Sequence, residues 1–251
     1  MRSFRTFSYK DANYKVSSCG FNTAVTEIKK QRSALEKFIA ANPVFKESLL
    51  PVDENDCLFV GSVPKIARIM KEASDLTGVG PMAAVAGSFA QQTAEAVISS
   101  GCAEAIVENG GDIFLVLKKE LFLGLYTGET PLGDNIAFKI TPETTPLAVC
   151  SSSSLMGHSL SLGKCDLATV FSASGALADA AATLACNMIK EDGDVKKTVD
   201  QIMSIEGITG IFAVKNDRVG IGGTIPELVK NNDPEIYKKV TRDLKSNFPD
   251  K

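Results

Sequence analysis

The chain has 251 residues, 44% hydrophobic and 23% charged, with a formal net charge of −3. This balance suits a soluble globular protein long enough to bury a sizeable core, and it gives no reason to expect nucleic acid or an anionic membrane as partner. No apolar run reaches transmembrane length and the opening MRSFRTFSYKDANYK lacks an apolar h-region and a small-residue cleavage site, so the expected location is the cytoplasm.

In chain order, SFRTFSYKDANYKVSS predicts two short strands around a turn at residues 11–13. An amphipathic helix follows over about residues 24–41, with Val25, Ile28, Leu35, Phe38 and Ile39 on one face and Asn42-Pro43 as its stop. Ser62 is a candidate N-cap for a helix that runs to Gly78, with Pro64 in its first turn, where a missing N–H costs nothing. GVGPMAAVAG is a tight entry to another helix ending near Gly101, and its small residues allow backbone or ligand to come close. AEAIVENGGDIFLVL predicts strand, turn, strand, and LFLGLY, NIAFKI and LAVC are further short strands. SSSSLMGHSLSLGKCD is a polar loop, LATVFSA a buried strand, and SGALADAAATLACN a helix. A helix over DVKKTVDQIMSIEG, a hairpin over ITGIFAVKNDRVGIGG and a charged terminal helix complete the chain. The order implies an α+β protein, one compact unit over residues 1–251 with helices packed on mixed or antiparallel sheet.

The six cysteines include no C-x-x-C pair, so the expectation is free thiols, several of them buried as small apolar residues. His158 is the only histidine, which excludes chemistry needing two.

Three stretches carry candidate chemistry. Asp179 and Thr183 stand four apart in an alanine-rich helix, so a carboxylate and a hydroxyl share one face. Such a pair suits Mg²⁺ completed by phosphate oxygens, and the helix N-terminus behind Ser174 offers free amides to a phosphate. The alternative is a helix interior in which Thr183 bonds back to a carbonyl and Asp179 meets water or a basic side chain. Asn109-Gly110-Gly111-Asp112 is a glycine turn able to approach a ligand closely, or simply a turn with an Asx-type bond. Ser152, Ser153, Gly157, His158 and Ser159 crowd one loop that suits a phosphate or a polar ring edge, although no G-x-S-x-G elbow surrounds its serines.

The order VGPMAAVAG, ENGGDI, then a histidine loop and ALADAAAT resembles the ApbE superfamily, the FAD:protein FMN transferases, over about residues 79–190, and the whole chain looks like a cytosolic ApbE-like branch of it. The resemblance implies an ApbE-like (T-fold-like) fold. It also implies Mg²⁺ held by Asp179, Thr183 and the backbone carbonyl of Val85, with FAD as cofactor along residues 109–112 and the serine loop. Asp179 and His158 are the implied catalytic residues. FMN would pass to a hydroxyl of an acceptor protein, and a homodimer is a further partner. The chain departs from the transferases at Ala86, where they carry Lys, and in the short loop HSLSLGKCD. Those departures leave open a flavin or nucleotide binder without turnover. They also leave open another reaction on a small phosphorylated metabolite using His158 and the serines.

Overall fold

A computed structural model describes residues 2–53, 63–125, 136–154 and 163–231. The N-terminal hairpin pairs β1 (Arg5–Tyr9) with β2 (Ala12–Ser18). Helix α1 (Phe21–Ala41) does end where Asn42 caps it, but Pro43 opens a further helix, α2 (Pro43–Glu47), because proline is well tolerated at the first helical position. Helix α3 (Lys65–Thr77) ends on Gly78, whose φ of 77° lets its N–H reach the Ser74 carbonyl at 2.8 Å. Ser62 lies outside the described residues, and Pro64 takes the N-cap position.

A 3₁₀ turn, Pro81–Ala84, leads into α4 (Val85–Ser99). Then come β3 (Ala105–Asn109), β4 (Asp112–Val116), β5 (Leu121–Gly124), β6 (Ile136–Ile140), β7 (Leu147–Ser152) and β8 (Leu167–Ser172). Helices α5 (Gly175–Met188) and α6 (Asp194–Met203) precede the hairpin β9 (Ile208–Lys215) and β10 (Arg218–Gly223). A short strand that the sequence did not announce, β11 (Glu227–Lys230), follows. The expected terminal helix falls outside the described residues.

Eight strands form one sheet in the order β1-β2-β3-β4-β7-β8-β9-β10, and three form a second in the order β11-β6-β5. Their pairings are antiparallel throughout, so the mixed alternative does not apply to the described strands. Strand alternation divides the core in two. In β7, Ala148 and Cys150 face the helices, while Leu147 and Val149 face the small sheet. The small sheet inserts Phe138 edge-on against Phe171 and Phe212, at centroid distances of 4.9 and 5.8 Å. Strand β8 is covered on both sides and buries all six of its residues, which is why it reads as a continuous apolar run. Helix α5 lies in the middle of the helical layer against α3, α4, β7 and β8, and so its alanines are buried all round. No helix among the described residues is long and apolar enough to cross a membrane.

One expectation about the cysteines is corrected. Cys19, at the end of β2, and Cys102, just after α4, are joined by a disulfide across 83 residues. Their sequence separation carries no spacing pattern, and only the fold brings them together. Cys150, Cys165 and Cys186 are free and buried, as expected, and Cys57 lies outside the described residues.

Candidate functional site

The first component is the β3–β4 turn. Gly110 and Gly111 both have positive φ, 64° and 102°, as a two-residue hairpin of the I′ kind requires. Asn109 and Asp112 are therefore cross-strand partners at the mouth of the hairpin. Asp112 makes no bond within its own turn: it points inward, 7% exposed, and Oδ1 accepts the Ser151 N–H at 3.2 Å. Asn109 turns toward α4 and donates from Nδ2 to the Ala86 carbonyl at 3.4 Å.

The second component is the crossing of α4 and α5. Asp179 is 9% exposed, and Oδ2 accepts the Gly87 N–H at 2.8 Å, with the Ala86 N–H also bonded to the carboxyl. These are unpaired amides of the first turn of α4, so Asp179 caps a helix other than its own. Close approach makes this possible. A Cβ on Gly87 would collide with the Gly175 carbonyl oxygen, and a Cβ on Gly175 would collide with that of Gly87. Glycine inside a helix costs about 1 kcal/mol against alanine, so Gly87 is the signal in the sequence that two backbones meet here.

The expected use of the α5 N-terminus is corrected. Ser174 does cap the helix, accepting the Leu177 N–H at 3.3 Å, and Gln91 of α4 accepts the Gly175 N–H at 2.7 Å. Those two amides are taken by side chains, so they are not free to receive a phosphate.

The third component is β7. The Cys150 Sγ lies 3.7 Å from the Gly175 carbonyl in the first turn of α5, and the Ser154 Oγ lies 3.2 Å from the Cys186 Sγ in its last. Ser152 stands between them, alternating with the same face, and so lies beside the middle turns that carry Asp179 and Thr183. The Ser152 hydroxyl is buried and has no hydrogen-bond partner among the described residues. Ser153 is also buried, Thr183 is half-buried one turn beyond Asp179, and Val85 is half-buried at the first position of α4. Gly157, His158 and Ser159 lie outside the described residues. Their loop leaves at Ser154 and returns at Gly163; the Ser154 N–H donates to Cys165 at 2.9 Å, and the Lys164 N–H donates to Ile189 at 2.8 Å.

The electrostatics follow from burial. Desolvation raises the Asp179 carboxyl from the ordinary 3.8 to about 7, against the opposing pull of the Gly87 and Ala86 amides. Asp112 is pushed well above the ordinary range by burial first and by the Asp179 charge second. The Cys150 thiol, bonded to Asp112, is raised by its burial and by both carboxyls, which keeps it protonated. Among the described residues, no lysine or arginine forms an ion pair with either acid. No group of three or more histidine, cysteine or acidic side chains able to hold a metal occurs there either. A donor set of carboxyl, hydroxyl and backbone oxygens fits Mg²⁺, which is usually bound by one or two carboxylates plus phosphate oxygens rather than by an all-protein cage. Sequence reasoning missed Cys150 and Gln91, which carry no motif and resemble ordinary core and helix-surface residues.

Comparison with known proteins places the chain in a family and a fold. A family model described as AbpE bacteria matches residues 16–204. A UPF0280 protein of Methanocaldococcus jannaschii is 40% identical over 217 residues, covering 84% of this chain and 86% of that protein. Among solved structures, the apo flavinyl transferase ApbE of Pseudomonas stutzeri superposes with a TM-score of 0.53 at 11% identity, over 88% of this chain and 94% of that one. A mutant of the flavin transferase ApbE of Vibrio cholerae superposes with a TM-score of 0.55 at 12% identity, over 88% and 97%. At these identities the two structures show the fold: an ApbE-like α+β unit.

Proposed function

Because the chain belongs to the AbpE bacteria family, within the ApbE-like superfamily, we propose that it binds a flavin or other dinucleotide pyrophosphate through Mg²⁺ and transfers FMN from FAD to a hydroxyl acceptor on a partner protein. Asp179, Thr183 and the Val85 carbonyl are the metal ligands. Asn109, Gly110, Gly111 and Asp112 line the flavin nucleotide on one side. Ser152, Ser153, Gly157, His158 and Ser159 are the further residues assigned to it. The metal, when bound, supplies neutralising charge for the diphosphate.

The chain's own residues do the rest. The amides of Ala86 and Gly87 hold Asp179 in place. The Ser152 hydroxyl, which has no partner among the described residues, donates to ligand oxygen. His158 takes the proton of the acceptor hydroxyl as that oxygen bonds to the FMN phosphorus and AMP leaves. One observation supports the reading: two buried carboxyls, Asp112 raised in part by the charge of Asp179, form no ion pair with a lysine or arginine among the described residues.

Calorimetry with FAD, FMN and ADP, each with and without Mg²⁺, tests it. Mg²⁺-dependent binding of FAD is the expected result, and silence for every ligand rejects the reading. Release of AMP with candidate acceptor proteins, run beside an active ApbE transferase, tests the transfer step. Ala86, where the transferases carry Lys, favours a second reading in which the ligand is bound without turnover. Mg²⁺-dependent binding without AMP release would select that one.

A further inference from the structure

Helices α4 and α5 cap each other. Asp179 of α5 closes the first amides of α4, and Gln91 of α4 closes the first amide of α5. Where they cross, Gly87 and Gly175 bring backbone against backbone with no side chains between to lock one helix along the other. The side-chain hydrogen bonds across the crossing come from two residues. One is Asp179, the residue assigned to the metal, so a cation draws on the same carboxylate that ties the helices. The Gln91 bond does not involve the ligand at all.

The amide of Gln91 is also oriented from behind. Nε2 donates to Glu95 Oε1 at 2.8 Å, and Lys65 of α3 pairs with Glu95 Oε2 at 2.8 Å. With its nitrogen committed to a carboxylate, Gln91 presents Oε1 to Gly175, and a flipped amide would lose both bonds. Gly175 is one turn from Asp179, about 6 Å along the helix, so a slip at the first moves the second.

We propose that Gln91 is the positioning residue of the Asp179 site: its grip on the Gly175 amide, set by Glu95 and Lys65, holds the Asp179 carboxylate where a divalent cation needs it. This rests on the metal reading above. Residues that orient metal ligands from outside the coordination shell typically cost about 10–100-fold in metal affinity when replaced.

Mn²⁺ is the probe, titrated by electron paramagnetic resonance with and without ADP, and with Mg²⁺ as competitor. Gln91→Leu keeps the volume and loses the acceptor, and Mn²⁺ affinity should fall about tenfold. The exchange Gln91→Glu with Glu95→Gln restores an acceptor for Gly175 and a donor behind it, and affinity should return to within about twofold of wild type. Wild-type affinity in Gln91→Leu overturns the proposal. So does a double exchange as weak as Gln91→Leu, because the loss would then not come from the acceptor. If Gln91→Leu does not fold, Gln91→Asn, which shortens the reach of the amide, replaces it with the same expectation. Asp179→Asn separates the two levels. Mn²⁺ bound by wild type, lost in Asp179→Asn and unchanged in Gln91→Leu sinks the positioning role and leaves the site. Absence of Mn²⁺ binding in wild type under both conditions sinks the site and the positioning role with it.

Discussion

Asp166 and Asp179 are both buried on the same framework, and the chain treats them in opposite ways. Asp166, 4% exposed at the start of β8, is fully answered: Lys215 Nζ lies 3.1 Å from Oδ1, and the Asn216 N–H donates to Oδ2 at 2.5 Å. Both partners come from the end of β9 and the turn to β10, so this acid is a corner brace between neighbouring strands. Among the described residues Asp179 receives backbone amides and no ion pair, and its charge acts on another buried acid, Asp112. A buried charge with a cation beside it is architecture. Two buried acids without one leave a charge deficit that something outside the chain can fill.

The contrast breaks first at the brace. Asp166→Ala removes the buried acceptor shared by the half-buried Lys215 ammonium and the Asn216 N–H, two hydrogen bonds to a charged group at about 1.5–3 kcal/mol each, and should cost about 3–5 kcal/mol. The melting temperature should fall by roughly 10 °C, while Mn²⁺ affinity stays at wild type. A comparable loss of metal binding would mean that the two acids are not separate in function.

The pH dependence of stability should be next in size. In the unfolded chain Asp179 ionises near 3.8, and in the folded protein only near 7. Below the first value the carboxyl is protonated in both states, and its contribution to folding is fully present. As pH rises toward 7, the unfolded state is favoured by ionising first, so stability falls by up to about 4 kcal/mol and then levels off. Denaturant melts in EDTA should show this decline between pH 4 and 7, deepened by Asp112, which is raised in the same direction, and Asp179→Asn should reduce it. Mg²⁺ requires the ionised carboxylate, so its stabilising effect should grow over the same interval. A flat profile for wild type in EDTA would show that the carboxyl is not raised.

Asp179→Asn itself should weaken Mg²⁺ by about a hundredfold, because it removes the ligand charge while keeping an oxygen for the Gly87 amide. The fold should survive, and at pH 8 the metal-free variant should be at least as stable as wild type. Unfolding of this variant would mark Asp179 as a brace like Asp166, and the site would be lost with it.

How much of this was legible depended on whether the cause was local. The Asn109–Asp112 turn and the stop of α3 at Gly78 are written in residues a few positions apart, and they stand where expected; the start of α3 does not, because Pro64, expected inside the first turn, is its extended N-cap. The i, i+4 spacing of Asp179 and Thr183 put them on one face without any structure. Only the fold reveals what lies opposite. Cys19 meets Cys102 across 83 residues, Gln91 meets Gly175 across 84, and the Ser151 N–H meets Asp112 across 39. Each is an ordinary residue type until the sheet order and the helix crossing bring its partner to it. The amides at the N-terminus of α5 were misjudged for the same reason, since their side-chain partner belongs to another helix.

The smallest effect is the sharpest test of the contrast between answered and unanswered groups, because it compares two serines. Ser172 is 1% exposed, donates to the Gly207 carbonyl at 2.7 Å and accepts the Ser174 N–H at 3.0 Å. Ser152 is also buried, at 8% exposed, and its hydroxyl has neither kind of partner among the described residues. Ser172→Ala strands a carbonyl and an amide and should cost about 1–3 kcal/mol. Ser152→Ala removes an unsatisfied group and should leave the metal-free protein unchanged or about 1 kcal/mol more stable. Its cost should appear only in binding: a single net hydrogen bond of about 0.5–1.5 kcal/mol is a loss of roughly twofold to tenfold in FAD affinity by calorimetry. If Ser152→Ala destabilises the free protein as Ser172→Ala does, the hydroxyl serves the fold, and the ligand has no claim on it.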